Sequence, residues 1–395
     1  MAMLKCPFCY QTIDGRRLWF RCTGRGSPGQ RGCAPQADPV REQATGDTEY
    51  ALPSFPPPGR GLRSTGEGVC PACHAPTGIR VCPNCHTRMP ATFGHERSPL
   101  IAMVGGKGTG KTVYLSVLAN QLRRELGARF QADVRPEGDA PFRENGGTTV
   151  KFTSGRAPFR EGTLVELTAK AEDGRREPVV FAWRRKQRFR YATTFLSFLD
   201  TAGEDLGSTQ SVDGLRYLGA ADALILLLDP FMIPEARDRI HLPAEAIGSD
   251  VNAVDVLNRV TDSLRIGHRL GSRRNIRIPV AVVFAKIDAF FELLGSDNPL
   301  VRQPSAGPYY DESAGRATHE YVRALLYEWK AGELDTHLSH NYKTFRYFAV
   351  SALGAEPDYA NFRINPLGLH PFRVDEPLLW LLSRAGVVPT SGVPR

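Results

Sequence analysis

The feature that most constrains this chain is the octapeptide Gly105-Gly-Lys-Gly-Thr-Gly-Lys-Thr112. It lies between the apolar run Pro99-Leu-Ile-Ala-Met-Val104 and the segment Val113-Tyr-Leu-Ser-Val-Leu-Ala-Asn-Gln-Leu122. A buried strand, a glycine loop and a helix are expected in that order, the setting in which GxxxxGK[ST] binds phosphate. Gly105, Gly108 and Gly110 let the backbone curl so that N–H groups point inward, and the helix N-terminus adds partial positive charge. Lys111 is placed to reach the β- and γ-phosphates of a nucleoside triphosphate and the Thr112 hydroxyl to ligate Mg²⁺, with Val113 closing the binding set. A plain glycine turn is the alternative; strand, Lys-Thr pair and helix together argue against it.

All eight cysteines lie between Cys6 and Cys85. The N-terminus shows no apolar signal core, and no segment approaches the ~20 apolar residues of a membrane span. A cytoplasmic protein is expected, and in that compartment clustered cysteines argue for metal over disulfides. Cys70-Pro-Ala-Cys73 and Cys82-Pro-Asn-Cys85 are two knuckles eight residues apart, the pattern of a Cys₄ zinc site. Cys6-Pro-Phe-Cys9 with Cys22 and Cys33 makes a second set by elimination, with exchange of ligands between the two sites left open. Two zinc ions are therefore expected, in ribbons at residues 1–33 and 69–98. Between them, residues 34–68 are rich in proline and glycine and read as a linker. Two knuckles also read CxxCH, through His74 and His86, the haem-attachment signature. The compartment and the prolines favour zinc, and a histidine replacing a cysteine as ligand stays open.

The chain has 395 residues, 42% of them hydrophobic and 23% charged, with a net charge of +8. That is an ordinary soluble composition, long enough for two or three domains. The charge permits an acidic partner, nucleic acid included, without favouring one. The one dense basic run, Arg184-Arg-Lys-Gln-Arg-Phe-Arg190, is expected at a solvated hairpin end.

Strands are expected at 163–169, 178–183 and 191–199, the last leading into Asp200-Thr-Ala-Gly-Glu-Asp205. Further buried strands at 223–228, 278–284 and 345–350 end in Asp229-Pro, Ala285-Lys-Ile-Asp288 and Ser351-Ala-Leu353. Amphipathic helices are expected at 251–270 and 318–338, the second facing the core with Tyr321, Leu325, Leu326 and Trp329. Residues 290–315 read as a loop-rich insertion, Asp375 as the N-cap of the closing helix, and 386–395 as a flexible tail.

Three of these tetrapeptide-scale elements carry a family resemblance. Asp200-Thr-Ala-Gly203 resembles the DxxG switch of Ras-like GTPases, Ala285-Lys-Ile-Asp288 the NKxD base element, and Ser351-Ala-Leu353 the SA[KL] loop. The resemblance covers residues 99 to about 385, with motifs in the family's order. It implies that Asp200 holds Mg²⁺ through a water and that the Gly203 amide senses the γ-phosphate. It further implies that Asp288 accepts hydrogen bonds from guanine, that the Lys286 stem packs on the ring, and that Ser351 and Ala352 offer backbone amides to the base. Taken whole, cysteine knuckles before a GTPase core with a long insertion, the chain resembles the double-GTPase proteins of bacterial conflict systems, in the translation-factor-related clade. That likeness implies a nucleotide-gated component of a multi-protein defence module.

The chain departs from the pattern at two places. Ala285 replaces the asparagine of the base element, and Glu204 stands where many relatives carry the glutamine that orients water. A carboxylate there repels the γ-phosphate, so slow hydrolysis is expected. Thr163 is taken as the switch threonine that reaches Mg²⁺, with Thr148 and Thr149 as rivals. Arg156 and Arg160 are candidates for an internal arginine finger, or simply solvent-facing.

The expected architecture is a three-layer α/β P-loop NTPase with a mostly parallel sheet at 99–385, preceded by small zinc-ribbon modules. The expected function is a GTP/GDP- and Mg²⁺-binding switch that hydrolyses slowly and engages protein partners through switches and ribbons. The rivals are a nucleotide-binding scaffold with little turnover, a zinc-ribbon nucleic-acid-binding protein with an auxiliary NTPase, and an ATPase.

Overall fold

The computed structural model describes residues 3–15, 17–57, 66–90, 93, 98–106, 108–137, 179–187, 190–198, 212–242, 252–304, 306–358, 365 and 368–392. Thr148, Thr149, Arg156, Arg160, Thr163, Asp200, Gly203 and Glu204 lie outside these residues, as does the strand expected at 163–169. The chain divides into two compact units. One comprises Met1–Leu100, Arg135–Pro141 and Ala171–Ser197, the other Ile101–Val134, Phe142–Lys170 and Phe198–Arg395.

The second unit is built on a parallel sheet in the order Phe345–Ala349, Val280–Phe284, Ala223–Leu228, Ile101–Gly105. Every residue of the last three strands is buried. Their sequences are accordingly continuous apolar runs without alternation, as strands covered on both faces require. Leu227 pairs with Gly105, Phe284 with Leu228 and Ala349 with Phe284, so all four strands end along one edge.

Helices cover the sheet. Lys111–Gln121 packs on Ile101–Gly105, Glu312–Glu328 on Phe345–Ala349, and Glu376–Arg384 across the two central strands. Val212–Ala220 packs on Ala253–Gly267. Its Tyr217 hydroxyl accepts from the Met103 amide at 2.9 Å and donates to the Ile101 carbonyl at 3.2 Å. A side chain thus satisfies part of the outer ladder of the phosphate-loop strand.

Three expectations for this unit are corrected. The helix expected at 318–338 is two helices, Glu312–Glu328 and Gly332–Asn341. Lys330 takes the left-handed backbone at φ 54°, and the Ala331 amide reaches back to the Leu326 carbonyl at 2.7 Å, a Schellman stop made without glycine. Leu326 and Trp329 are buried as expected, whereas Tyr321 is 43% exposed. Asp375 stands at the N-cap position, but its carboxylate makes no capping bond and instead accepts from Arg129 at 3.0 Å. The stretch expected as a flexible tail contributes Thr390–Ser391, paired in parallel with Tyr310–Asp311 from the insertion.

In the first unit an antiparallel sheet runs Ser54–Phe55, Trp19–Arg21, Arg80–Val81, Arg88–Met89. Strands from both expected ribbons are therefore neighbours in one sheet. The expected linker is structured over much of its length. Helix Pro39–Thr45 is capped by Asp38, Gln36 bridges Ala51, and Ser54–Phe55 completes the sheet. The strands Val179–Gln187 and Arg190–Phe198 are neighbours, and the basic run lies on them at 184–187 and 190, with 188 and 189 outside the described residues. Arg184 lies 4.4 Å over the Tyr191 ring. From this hairpin, Ala182 and Phe195 pack into the cluster around Cys6, Cys82, Cys85, Met89 and Phe93.

Candidate functional site

The phosphate loop follows from its glycines. A side chain on Gly105 would press 2.5 Å against the Leu227 carbonyl of the neighbouring strand. Gly110 has φ +82° and open space around its missing side chain, so backbone alone faces that space. It is also the N-cap of the Lys111–Gln121 helix and makes no side-chain cap. First-turn N–H groups with no side-chain cap are what a phosphate takes up. Lys111 is 8% exposed, and its ammonium donates to the carbonyls of Gly105 at 2.9 Å and Gly106 at 2.7 Å. Thr109 closes the loop through its hydroxyl on Gly106 at 2.9 Å. The donor set thus fits a polyphosphate, and Thr112 stands in the first turn of the same helix.

Two further elements lie at the ends of neighbouring strands. After Val280–Phe284, the chain turns at Lys286, φ 56°, into the short helix Ile287–Phe290. After Phe345–Ala349 come Val350 and Ser351. The Ile287 amide donates to the Val350 carbonyl at 3.2 Å, so the two turns are tied together. Ser351 is 1% exposed, and its hydroxyl accepts from the Gly354 amide at 2.7 Å. Burial lifts the Asp288 carboxyl above its ordinary range, while a hydrogen bond with Ser351 and the charge of Lys286 pull it back. Asp288 and Ser351 are thereby brought together at the ends of neighbouring strands. Ala285 is 7% exposed and supplies only a methyl group.

The cysteines form two clusters that differ from the grouping suggested by spacing. Cys6, Cys9, Cys82 and Cys85 come together, and Cys22, Cys33, Cys70 and Cys73 come together. The shared sheet is the reason. Trp19 pairs with Val81 and Phe20 with Arg80 in antiparallel register. The Cys70 and Cys82 knuckles flank opposite ends of Arg80–Val81, and Cys22, just past the antiparallel Trp19–Arg21, lies at the Cys70 end, where the Arg21 amide donates to the Ile79 carbonyl. The sulfur separations are 3.8 Å for Cys6–Cys85, 3.9 Å for Cys9–Cys82, 3.4 Å for Cys22–Cys73 and 3.8 Å for Cys33–Cys70. Four thiolates ~2.3 Å from a zinc ion stand ~3.8 Å apart, so both clusters fit tetrahedral zinc, and all eight cysteines are free of disulfides.

The knuckles share one backbone. The residue after the second cysteine is left-handed in each, at Tyr10 (φ 60°), His74 (φ 52°) and His86 (φ 55°). Amides of Phe8, Asn84 and Gly24 point at the Sγ atoms of Cys6, Cys82 and Cys22 at 3.3–3.4 Å. His86 is no ligand: its Nδ1 is 2.8 Å from Asp38 Oδ2, which ties the helix Pro39–Thr45 to the knuckle. His74 also stands outside both clusters.

No protein-family profile matches the chain. A curated protein of Mycolicibacterium smegmatis (strain ATCC 700084 / mc(2)155), described as "Putative ESX-1 scaffolding and assembly protein SaeC", is 29% identical over 428 aligned residues. The alignment covers 98% of this chain and 100% of that protein. Among solved structures, the chain is similar to the signal recognition particle receptor SRb-GTP/SRX complex from Chaetomium thermophilum, with 15% identity and TM-score 0.29. That match covers 66% of this chain and 93% of the other. A bacterial selenocysteine-specific elongation factor, EF-Sec, matches at 13% identity and TM-score 0.22, over 64% of this chain and 26% of that one. Likeness at these scores is partial, and the site stands on its own geometry. Among the described residues, no helix is long and apolar enough to cross a membrane.

Proposed function

We propose that the chain is a GTP-binding, Mg²⁺-dependent molecular switch that hydrolyses slowly and whose output is the assembly of protein partners. One observation carries the reading. The phosphate loop, the Lys286–Asp288 turn and Ser351–Ala352 all follow the C-terminal ends of strands in one parallel sheet. Open α/β sheets bind ligands outside that edge. Lys111, Gly108, Gly110, Thr112 and Val113 would hold the phosphates, while Asp288, Lys286, Ser351 and Ala352 would take the guanine.

Thr112 and, on the motif reading, Asp200 and Thr163 would hold Mg²⁺, which would supply charge neutralisation at the phosphates. Gly203 would sense the γ-phosphate. On the motif reading Glu204 would set a carboxylate where water must be oriented, which argues for slow turnover. Ala285 lacks an asparagine amide, a hydrogen bond to the base loop worth ~0.5–1.5 kcal/mol. An arginine from a partner would raise the rate by ~10³–10⁵. The cysteine unit, with two zinc ions, would serve as the interaction module.

The full-length relative is named for scaffolding and assembly, which supports a scaffold output. A component of a bacterial conflict system is the alternative setting, and the proteins encoded beside this one distinguish the two. Glu204 also favours a second reading, a scaffold that binds nucleotide with almost no turnover; phosphate release measured with and without partners separates it from a competent enzyme. The test of the first reading is Lys111→Ala, which should abolish GTP binding with thermal stability kept. Unchanged nucleotide affinity would overturn it.

A further inference from the structure

We infer that Asp229 is a positioning residue for base recognition, holding Lys286 so that the Asp288 carboxylate stays open to the guanine. This rests on the nucleotide reading above and adds to it a residue outside all three loop motifs.

Asp229 follows the strand Ala223–Leu228, which lies between the phosphate-loop strand and the base-loop strand in the sheet. It is 3% exposed, and both carboxylate oxygens are used. Oδ1 accepts from the Phe231 amide at 2.9 Å, and Oδ2 accepts from the Lys286 ammonium at 2.5 Å. The same ammonium lies 4.9 Å from the centre of the Phe231 ring. Lys286 is therefore fixed at its tip by a charge and a π-face, and at its root by a left-handed backbone at φ 56°. Its methylene stem is held as a shelf, the form in which it can pack on a base.

The turn beyond Asp229 also meets the phosphate loop. A side chain on Gly106 would come within 2.7 Å of the Met232 methyl. One turn, 229–232, thus supports both halves of the site. In this chain Ala285 has no side-chain amide to brace the base loop, and a brace from the neighbouring strand supplies what that position lacks.

The electrostatic role is distinct from the mechanical one. Lys286 acts on Asp288 through its charge. With Asp229 in place, the ammonium already has a buried counter-ion, and Asp288, hydrogen-bonded to Ser351, keeps its remaining acceptor capacity for the donors of guanine. Removing the Asp229 charge would turn Lys286 toward Asp288 and cover those oxygens.

The experiment displaces a fluorescent GDP analogue from the full-length zinc-loaded protein with GTP, ATP or XTP in the presence of Mg²⁺. The variants are Asp229→Asn, Lys286→Met, their double, and Asp288→Asn. Asp229→Asn keeps the bond to the Phe231 amide and loses only the charge. It should weaken GTP about tenfold, as for a lost charge-assisted bond, and leave ATP, which leans on the phosphate loop, unchanged. Lys286→Met should do the same although it keeps the stem, and the double should be no worse than either single.

An unchanged GTP-to-ATP ratio in Asp229→Asn, or losses that multiply in the double, would overturn the inference while leaving the nucleotide reading intact. Should Asp229→Asn fail to fold, Lys286→Met alone decides, and retained selectivity overturns it. If the wild type does not prefer GTP, or Asp288→Asn does not turn toward XTP, the base reading itself fails and this inference with it.

Discussion

Lys111 is held by the loop it serves, with two of its ammonium donors on the carbonyls of Gly105 and Gly106. Its head group is positioned in the folded chain, so on the proposed reading less entropy would be lost on binding phosphate. Lysine does this as a compact point charge, which the planar guanidinium of arginine does not reproduce. Lys111→Arg should therefore lower GTP affinity at least tenfold with the melting temperature nearly kept; wild-type affinity would show that the site needs only a positive charge. A second residue-scale prediction concerns Glu376, whose carboxyl is pushed up to about 7 by burial, with Arg373 opposing only in part. Folded protein therefore keeps a proton that the unfolded chain releases near 4.5. Between those values the native state binds more protons, so this group's contribution to stability falls as pH rises. Glu376→Gln should flatten that decline in denaturant titrations from pH 4.5 to 7.5, and an unchanged slope would refute the assignment. Lys111 was readable in the sequence because its signature is local. Glu376 was not, because its environment is made by Arg373 and by burial that only the fold creates.

At the scale of elements, the two zinc clusters show what spacing does and does not encode. Each CPxC announces a knuckle, since two thiolates on one tight turn need only four residues. Which knuckles share an ion depends on strands that the cysteines merely flank. The antiparallel register of Trp19–Arg21 against Arg80–Val81 brings Cys22 to the Cys70 end of the second strand and leaves the Cys82 knuckle at the other, a long-range fact invisible in the local pattern. Cys6→Ser combined with Cys22→Ser tests this directly. The structure predicts that both ions are lost, one ligand having gone from each cluster; pairing by spacing predicts that one zinc per chain remains, by metal analysis. A similar limit governs the helix break at Lys330. The break needs a left-handed residue, and a lysine there carries no signal in a helical pattern. The parallel strands were legible for the opposite reason. Continuous runs such as Ala223–Leu228 have no exposed face to disguise them.

At the scale of the molecule, each unit is cooperative in its own way. The cysteine unit threads both expected ribbons, the segment between them and the hairpin strands through shared contacts, with Ala182 and Phe195 packed beside the Cys6 cluster. Zinc removal should therefore expose amides of residues 3–15, 66–90 and 180–187 together in hydrogen exchange. Independent ribbons would open in separate steps. Similarity to the relative covers 98% of this chain and so runs through both units. In the second unit, the motifs at Gly105–Thr112, Ala285–Asp288 and Ser351–Leu353 were readable, and so was their order along parallel strands. Asp229 was not, since its role comes from a strand lying between two others. In competition for Mg²⁺-dependent binding, GTP should displace a fluorescent guanine nucleotide from the wild type at least tenfold better than ATP or XTP. Asp288→Asn should reverse the preference toward XTP. Equal displacement by GTP and ATP in the wild type, with Asp288→Asn without effect, would contradict the base reading.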